Sequence, residues 1–180
     1  MHCPTTKAVP ARRWRRLPAL LALAAACYAG QVRAAVDAGR PACDYCRMIR
    51  SEPEFGGEID TRSGPRKIYD SVECMAAAVL TDSVRQRDIR AIRLVDHDAP
   101  HARVQLGRAV FLYCPTIESP MGLSLAAFAA RTRAERACSP AAGRLLDWRG
   151  VLTLVDSTWF QGRLSVEHHA AVPHASRRAR

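Results

Sequence analysis

A strand end and a helix start meet in residues 67–80, KIYDSVECMAAAVL. The first four residues have the apolar and aromatic character typical of a strand. Apolar side chains then recur at the spacing of one helical face, at Val72, Met75, Ala76, Val79 and Leu80. Asp70 is predicted to cap this helix, with Glu73 three residues later as its reciprocal partner. Met75 lies on the flank of the apolar stripe and is predicted to fill the core.

Strands are predicted on both sides of this helix. Residues 55–60 (FGGEID) form a hairpin with residues 67–70 through a turn rich in Gly and Pro. Residues 91–95 (AIRLV) follow the helix as a further strand. The first half of the chain therefore has the order β-β-α-β.

The second half repeats this order. Strands are predicted at 109–113 (AVFLY) and 123–128 (LSLAAF), on either side of a Pro120-Met121-Gly122 turn, followed by a helix at 129–138 and a short strand near 144–146. We therefore predict an α+β fold in which two related ββαβ units, about 43–98 and 108–155, pack as one small domain.

The end of the chain is less regular. Residues 150–155 (GVLTLV) are compatible with an edge strand or with the start of the last helix. The predicted domain spans residues 43–166. Residues 167–180 lack an apolar period, and this tail is predicted to be disordered.

Residues 1–34 have the pattern of an export signal. A basic segment is followed by ten apolar residues, Leu17 to Ala26, well short of the ~20 that span a bilayer. Cleavage before Ala35 and cleavage before Cys27, with lipidation of that cysteine, are both compatible with the sequence. Residues 35–42 would then form a tether. We expect a periplasmic protein, anchored to a membrane if Cys27 is lipidated.

The net charge of +10 does not indicate nucleic-acid binding, because of where the charges lie. Six of the 27 Lys and Arg residues fall in the first 34 residues, which contain no acidic residue. The remaining 21 face 17 Asp and Glu. The folded part is therefore close to neutral, and we expect no nucleic-acid partner.

Export matters for the cysteines, because an oxidising compartment favours disulfides. Cys114 and Cys138 are expected either to pair with each other or to stay buried as thiols. Cys74 falls in the first turn of the predicted helix, where the helix dipole is expected to lower the pKa of its thiol. That position allows either metal ligation or a disulfide.

Cys43-Asp44-Tyr45-Cys46-Arg47-Met48 is the most informative motif. In an extended segment the side chain of Met48 would lie on the same face as Cys46, so three sulfur atoms could converge. Thiolate and thioether donors suit Cu(I) better than they suit a structural zinc site. Met121 could be a further ligand or a loop anchor. His97 could supply a nitrogen donor or lie in a solvated loop.

At these positions the sequence resembles the NosL family. The shared elements are the Cys43 to Met48 motif, the helix start at 69–75, and residues 92–98, 111–113 and 119–128. The resemblance implies a monomeric protein of two ββαβ units, tethered by a lipidated cysteine, that binds Cu(I) and passes it on for the copper centres of nitrous oxide reductase. Family members often carry Gly where this chain has Arg47, and the resemblance gives Cys74 no role.

The expected function is a periplasmic Cu(I) metallochaperone rather than an enzyme. Its expected metal donors are Cys43, Cys46, Met48, Met121 and His97. Its partner would be nitrous oxide reductase or the copper-loading machinery of that enzyme. The rival in the enzyme class is an exported thiol–disulfide oxidoreductase using Cys43 and Cys46, although that motif normally opens a helix after a buried strand. A purely structural lipoprotein domain is a third alternative.

Overall fold

The computed structural model describes residues 41–164 and 166–170 of the chain. The predicted export signal, both cleavage sites, Cys27 and residues 35–40 of the tether lie outside the described residues. Residues 171–180 of the predicted tail lie outside them as well. Within the described residues no helix is long and apolar enough to cross a membrane.

The first unit is a four-stranded antiparallel sheet with a helix packed on it. Its strands, in the spatial order β2-β1-β3-β4, are β1 (Gly57–Thr61), β2 (Lys67–Tyr69), β3 (Ile89–Asp96) and β4 (Ala99–Gln105). Helix α1 (Val72–Leu80) connects β2 to β3, with a short 3-10 helix, Gln86–Asp88, before β3. The predicted β-β-α-β order is confirmed.

The second unit has the same plan. After a 3-10 turn at Leu106–Arg108, its elements are β5 (Val110–Tyr113), β6 (Leu125–Phe128), α2 (Arg131–Ala137) and β7 (Arg144–Leu146), and its sheet has the order β6-β5-β7. In both units the first strand lies between the second and the third. The backbone N–H of His97 donates to the Ala127 carbonyl at 2.8 Å and joins the two units. The prediction of two related ββαβ units in an α+β fold is confirmed.

Strand β4 was not predicted from the sequence. It lies at the edge of its sheet, where Pro100 needs no ladder partner for its nitrogen. Only Val104 of its seven residues is buried, so the strand carries almost no apolar alternation. The edge position therefore allows a proline within the strand and removes the alternation of apolar and polar residues, and the absence of proline and that alternation are the two sequence signals that identify a strand.

The last described residues form helices. Helix α3 (Trp148–Val155) continues into a π-helix, Asp156–Phe160, and α4 (Val166–His169) follows. Of the two alternatives for residues 150–155, the helix is correct. The prediction of disorder from residue 167 is wrong for residues 167–169, because Glu167 pairs with Arg149 and His169 contacts Asp82 at 3.4 Å.

Helix α1 is the centre of the main core. All nine of its residues are buried, including Met75, which confirms that Met75 is a core side chain. Helix α1 packs closely against β1, since a Cβ on Gly57 would lie 3.0 Å from Met75 Sδ. Helix α3 also packs against α1. The start of α1 is thus fixed relative to the first sheet.

The N-cap of α1 is Ser71, so the prediction of Asp70 as the cap is wrong. Ser71 Oγ accepts a hydrogen bond from the Cys74 N–H at 3.1 Å. The Asp70 carboxylate is turned instead toward Cys46, and Glu73 is buried against Ser119. Ser71 therefore takes the capping role, while the Asp70 carboxylate faces Cys46.

Candidate metal centre

Residues 42–49 form a tight turn. Ala42 and Ile49 form a β-bridge, and the Cys43 N–H donates to the Met48 carbonyl at 2.8 Å. The Arg47 N–H donates to the Cys43 carbonyl at 3.0 Å, and Arg47 has a φ of 67°. The expectation of an extended segment is therefore wrong, because a left-handed residue reverses the chain between Cys46 and Met48. Gly would adopt that backbone conformation without strain, whereas Arg47 adopts it at a cost.

Asp44 attaches this turn to strand β2. The Asp44 N–H donates to the Ile68 carbonyl at 2.8 Å, and the Ile68 N–H donates back to Asp44 Oδ2 at 2.7 Å. The Lys67 ammonium lies 3.3 Å from Asp44 Oδ1. These contacts bring both cysteines of the turn beside the end of β2, where the chain continues into Asp70 and helix α1.

The backbone of Asp70 is held in place by close packing on Gly56. Gly56 has a φ of 80°, and a Cβ there would lie 2.2 Å from the Tyr69 carbonyl oxygen and 2.8 Å from that of Asp70. Only glycine allows both the positive φ and this approach. The position of Asp70 thus depends on a residue that is remote in the sequence.

Four side chains converge at this point. One potential ligand atom from each of Cys43, Cys46, Asp70 and Cys74 lies within 4.8 Å of all the others. Cys46 Sγ donates to Asp70 Oδ2 at 3.2 Å, whereas Asp70 Oδ1 is buried without a hydrogen-bond partner. An unpartnered buried carboxylate oxygen is costly, and a cation bound among these groups would satisfy it.

Hydrogen bonding and burial set the protonation of the three thiols. The Cys74 thiol donates to Cys43, and together with backbone N–H groups this outweighs burial and lowers the pKa of Cys43 to about 6. Donation to Cys43 and burial raise the pKa of Cys74, which contradicts the lowering expected from the helix dipole. Burial raises the pKa of Cys46 to about 11. Cys43 is therefore the thiol of the group that most readily loses its proton, because its neighbours donate hydrogen bonds to it.

Access to the group is one-sided. Cys43 and Cys74 are 0% exposed, whereas Cys46 is partly exposed. Met48 and Ile49, which follow Cys46, are 51% and 45% exposed. Cys46 is thus the thiol that a molecule in solution reaches first, at a surface with two exposed apolar side chains.

The predicted donors lie in different places. Cys43 and Cys46 belong to the group, and Met48, two residues after Cys46, is exposed. Met121 is partly buried against the main core. His97 packs between the rings of Phe55 and Phe128, with centroid distances of 5.0 and 5.3 Å, and is not part of the four-residue group.

Asp70 and Cys74 are the two members that sequence reasoning missed. Their signal was present, since Asp70-Ser71-Val72-Glu73-Cys74 places two donors one helical turn apart. The capping role assigned to Asp70 and the open alternatives for Cys74 kept them out of the expected donor set. Cys114 and Cys138 form a disulfide in the second unit, which is one of the two alternatives expected for them, and they are not part of the group.

Three thiols with one carboxylate suit a soft or borderline cation rather than Mg²⁺ or Ca²⁺, which prefer oxygen-only ligands. A partly open edge at Cys46 suits ligand exchange, whereas structural zinc sites are closed. The arrangement can therefore hold a thiophilic metal ion and expose it on one side.

Comparison with known proteins agrees with the fold. The crystal structure of the copper chaperone NosL from Shewanella denitrificans is similar to this chain, with a TM-score of 0.52 and 19% identity over 59% of this chain and 86% of that one. A search of curated proteins gives no match. The sequence model of the NosL family matches residues 35–153, which include every member of the four-residue group. On that match over more than half of its length, the chain belongs to the NosL family.

Proposed function

We propose that this protein is a periplasmic Cu(I) metallochaperone that delivers copper for the assembly of the copper centres of nitrous oxide reductase. The observation that carries the proposal is the convergence of Cys43, Cys46, Cys74 and Asp70 within 4.8 Å. Membership of the NosL family and a fold shared with a copper chaperone support it. The protein acts as a carrier and not as a catalyst.

Each thiol has a distinct part in this proposal. The buried Cys43 and Cys74 retain the ion, since two thiolates satisfy the low coordination number that Cu(I) accepts. The partly exposed Cys46 is the donor that is replaced when a receiving protein takes the ion. Asp70 accepts the hydrogen bond of Cys46 and orients its sulfur atom. Release by exchange of one donor at a time avoids free Cu(I) in solution.

Two methionines are further candidate donors. In this proposal the exposed Met48, two residues after Cys46, contacts the ion or the receiving protein. Met121 is the thioether of a loop attached to the start of α1, through the contact of Ser119 with Glu73. His97 packs between two aromatic rings and is not part of the four-residue group, so we leave it out of the donor set.

Delivery at a membrane would follow from lipidation. In this proposal Cys27 carries the lipid, and residues 28–42 tether a monomeric copper-binding domain close to nitrous oxide reductase or its copper-loading machinery. The expected result is a mature protein that partitions with membranes and begins at a modified Cys27. Mass spectrometry that finds an unmodified N-terminus at Ala35 would contradict this anchoring.

A thiol–disulfide oxidoreductase is the rival function for Cys43 and Cys46. Such an enzyme needs an accessible thiolate as its attacking group. Here the thiol with the lowered pKa is Cys43, which is fully buried, and the pKa of the accessible Cys46 is raised. The combination favours a metal carrier over a redox enzyme.

Competition with a chromophoric Cu(I) chelator tests the proposal. Protein purified without oxygen is expected to bind one Cu(I), and C43S and C74S are each expected to lower the affinity at least about tenfold, or 1.4 kcal/mol. The C114S/C138S double variant is the matched control, because it removes two sulfur atoms outside the group and should leave the affinity unchanged. Metal-free protein with a reducible Cys43–Cys46 bond would favour the oxidoreductase instead.

A further inference from the structure

The loop that carries Met121 is folded around Ser119. The Ser119 carbonyl accepts a hydrogen bond from the Gly122 N–H at 2.9 Å, and Ser119 Oγ accepts one from the Ser124 N–H, also at 2.9 Å. Gly122 and Ser124 have φ values of 77° and 57°. The Ser124 carbonyl then accepts from the Cys114 N–H at 3.0 Å, at the end of the β5–β6 hairpin. The backbone on both sides of Met121 is thus fixed by one serine.

Ser119 in turn is bound to the helix that carries Cys74. Ser119 Oγ donates to Glu73 Oε1 at 2.5 Å, and both residues are buried. Glu73 is 0% exposed and immediately precedes Cys74, whose N–H is held by the Ser71 cap. The hydrogen bond between Ser119 and Glu73 therefore ties the Met121 loop of the second unit to the first turn of α1.

We infer that Glu73 is a positioning residue for the metal centre, which through Ser119 holds the Met121 loop against the helix start that carries Cys74. The inference rests on the proposed function, because it gives the position of Met121 a consequence for copper binding. Glu73 itself contacts no metal donor in this role. It acts by limiting where the half-buried thioether of Met121 can lie.

Stability of the fold alone does not explain why a carboxyl group is buried at position 73. Burial of a carboxyl group costs free energy that its hydrogen bonds only partly recover, and Glu73 is 0% exposed. An apolar side chain of similar volume would fill the same space without that cost. What an apolar side chain cannot do is fix the Ser119 hydroxyl, and with it the Met121 loop, in one orientation.

A double-mutant cycle between Ser119 and Met121 tests this coupling. We expect S119A to lower Cu(I) affinity about three- to tenfold in the wild-type background and to have no further effect in M121A. E73L should behave as S119A does. E73Q should retain most of the affinity, because an amide oxygen still accepts from the Ser119 hydroxyl. Thermal unfolding of each apo variant establishes that the fold is kept, and S119A gives the result if E73L fails to fold.

A second measurement follows the loop without copper. Oxidation of Met121 by peroxide, quantified by mass spectrometry, should be faster in S119A and E73L than in the wild type or E73Q. Equal rates of Met121 oxidation in the wild type, S119A, E73L and E73Q would overturn the inference. So would a loss of Cu(I) affinity from S119A that is the same in the wild-type and M121A backgrounds. Normal Cu(I) binding in every variant would overturn it and leave the proposed function standing, whereas a wild type that binds no Cu(I) would overturn both.

Discussion

Replacement of Gly56 by alanine tests whether the position of Asp70 is set by close packing. The new Cβ would lie 2.2 Å from the Tyr69 carbonyl oxygen, 2.6 Å from the Asp70 carbonyl carbon and 2.8 Å from its oxygen. These distances are about 1 Å short of ordinary van der Waals contact. Because the neighbours are backbone atoms, the end of β2 must move, and the Asp70 carboxylate must move with it.

The magnitude of the effect has two parts. The φ of 80° at position 56 costs an L-residue about 1–2 kcal/mol, and overpacking adds about 1–3 kcal/mol, for a total of about 2–5 kcal/mol in the free energy of unfolding. Gly162 is a matched control, since its φ is 69° but a Cβ there meets nothing within 4 Å. G162A should therefore lose only the ~1–2 kcal/mol that comes from the positive φ, which is the size of that cost in G56A. Displacement of a supporting residue is further expected to weaken metal binding about 10- to 100-fold in G56A alone.

Urea unfolding of both apo variants measures the stability difference, and chelator competition measures the Cu(I) affinity. G56A should lose more stability than G162A, and only G56A should lose affinity. Equal destabilisation of the two variants would show that the close approach to Asp70 carries no cost. A folded G56A with wild-type affinity would show that the position of Asp70 does not matter for the metal.

Three further predictions concern single side chains. C46S should slow copper transfer to a receiving protein more than it lowers equilibrium affinity, with C74S showing the reverse pattern, because only Cys46 is partly exposed; equal effects of the two on both quantities would contradict this. Burial raises the pKa of Asp60, but hydrogen bonds from Arg93 and Arg66 outweigh it and lower the pKa overall, so its stabilisation is present above the ordinary value of 3.8 and lost as the pH falls through the folded-state pKa. The destabilisation of D60N should thus be smaller at pH 3 than at pH 7 in urea unfolding, and an equal difference at both pH values would refute the role of the charge. R47G should raise the free energy of unfolding by no more than about 1 kcal/mol in urea unfolding. Glycine removes the backbone strain of the φ of 67° at position 47, but it also gives the unfolded chain more conformational freedom, which offsets part of the gain. A lower free energy of unfolding in R47G would show that Arg47 is not strained.

Local patterns predicted much of the fold. Apolar spacing located α1, and turn residues between short apolar runs located the hairpins of both ββαβ units. Strand β4 was missed because Pro100 and its exposed neighbours remove the signals of a strand at a sheet edge. Asp70 and Ser71 are adjacent and both cap helices well, so the sequence alone does not distinguish which of them does so.

Two of the four residues of the candidate metal centre were named from the sequence, and the other two were not, for a physical reason. The Cys43 and Cys46 pair is local, and its spacing is sufficient to mark it. Cys46 and Asp70 are 24 residues apart and meet only because Asp44 docks on β2. The left-handed conformation of Arg47 likewise depends on hydrogen bonds within the folded turn, and it overturned the extended geometry assumed for Met48. Donors that converge through tertiary contacts leave no fixed spacing in the sequence.

X-ray absorption at the copper edge of the Cu(I)-loaded full chain tests the central claim most directly. The proposed site predicts one Cu(I) whose nearest neighbours are two or three sulfur atoms, with one sulfur fewer in C74S and the wild-type spectrum in C114S/C138S. A first shell of nitrogen and oxygen atoms, or a C74S spectrum identical to that of the wild type, would contradict copper binding by the Cys43, Cys46, Cys74 and Asp70 group.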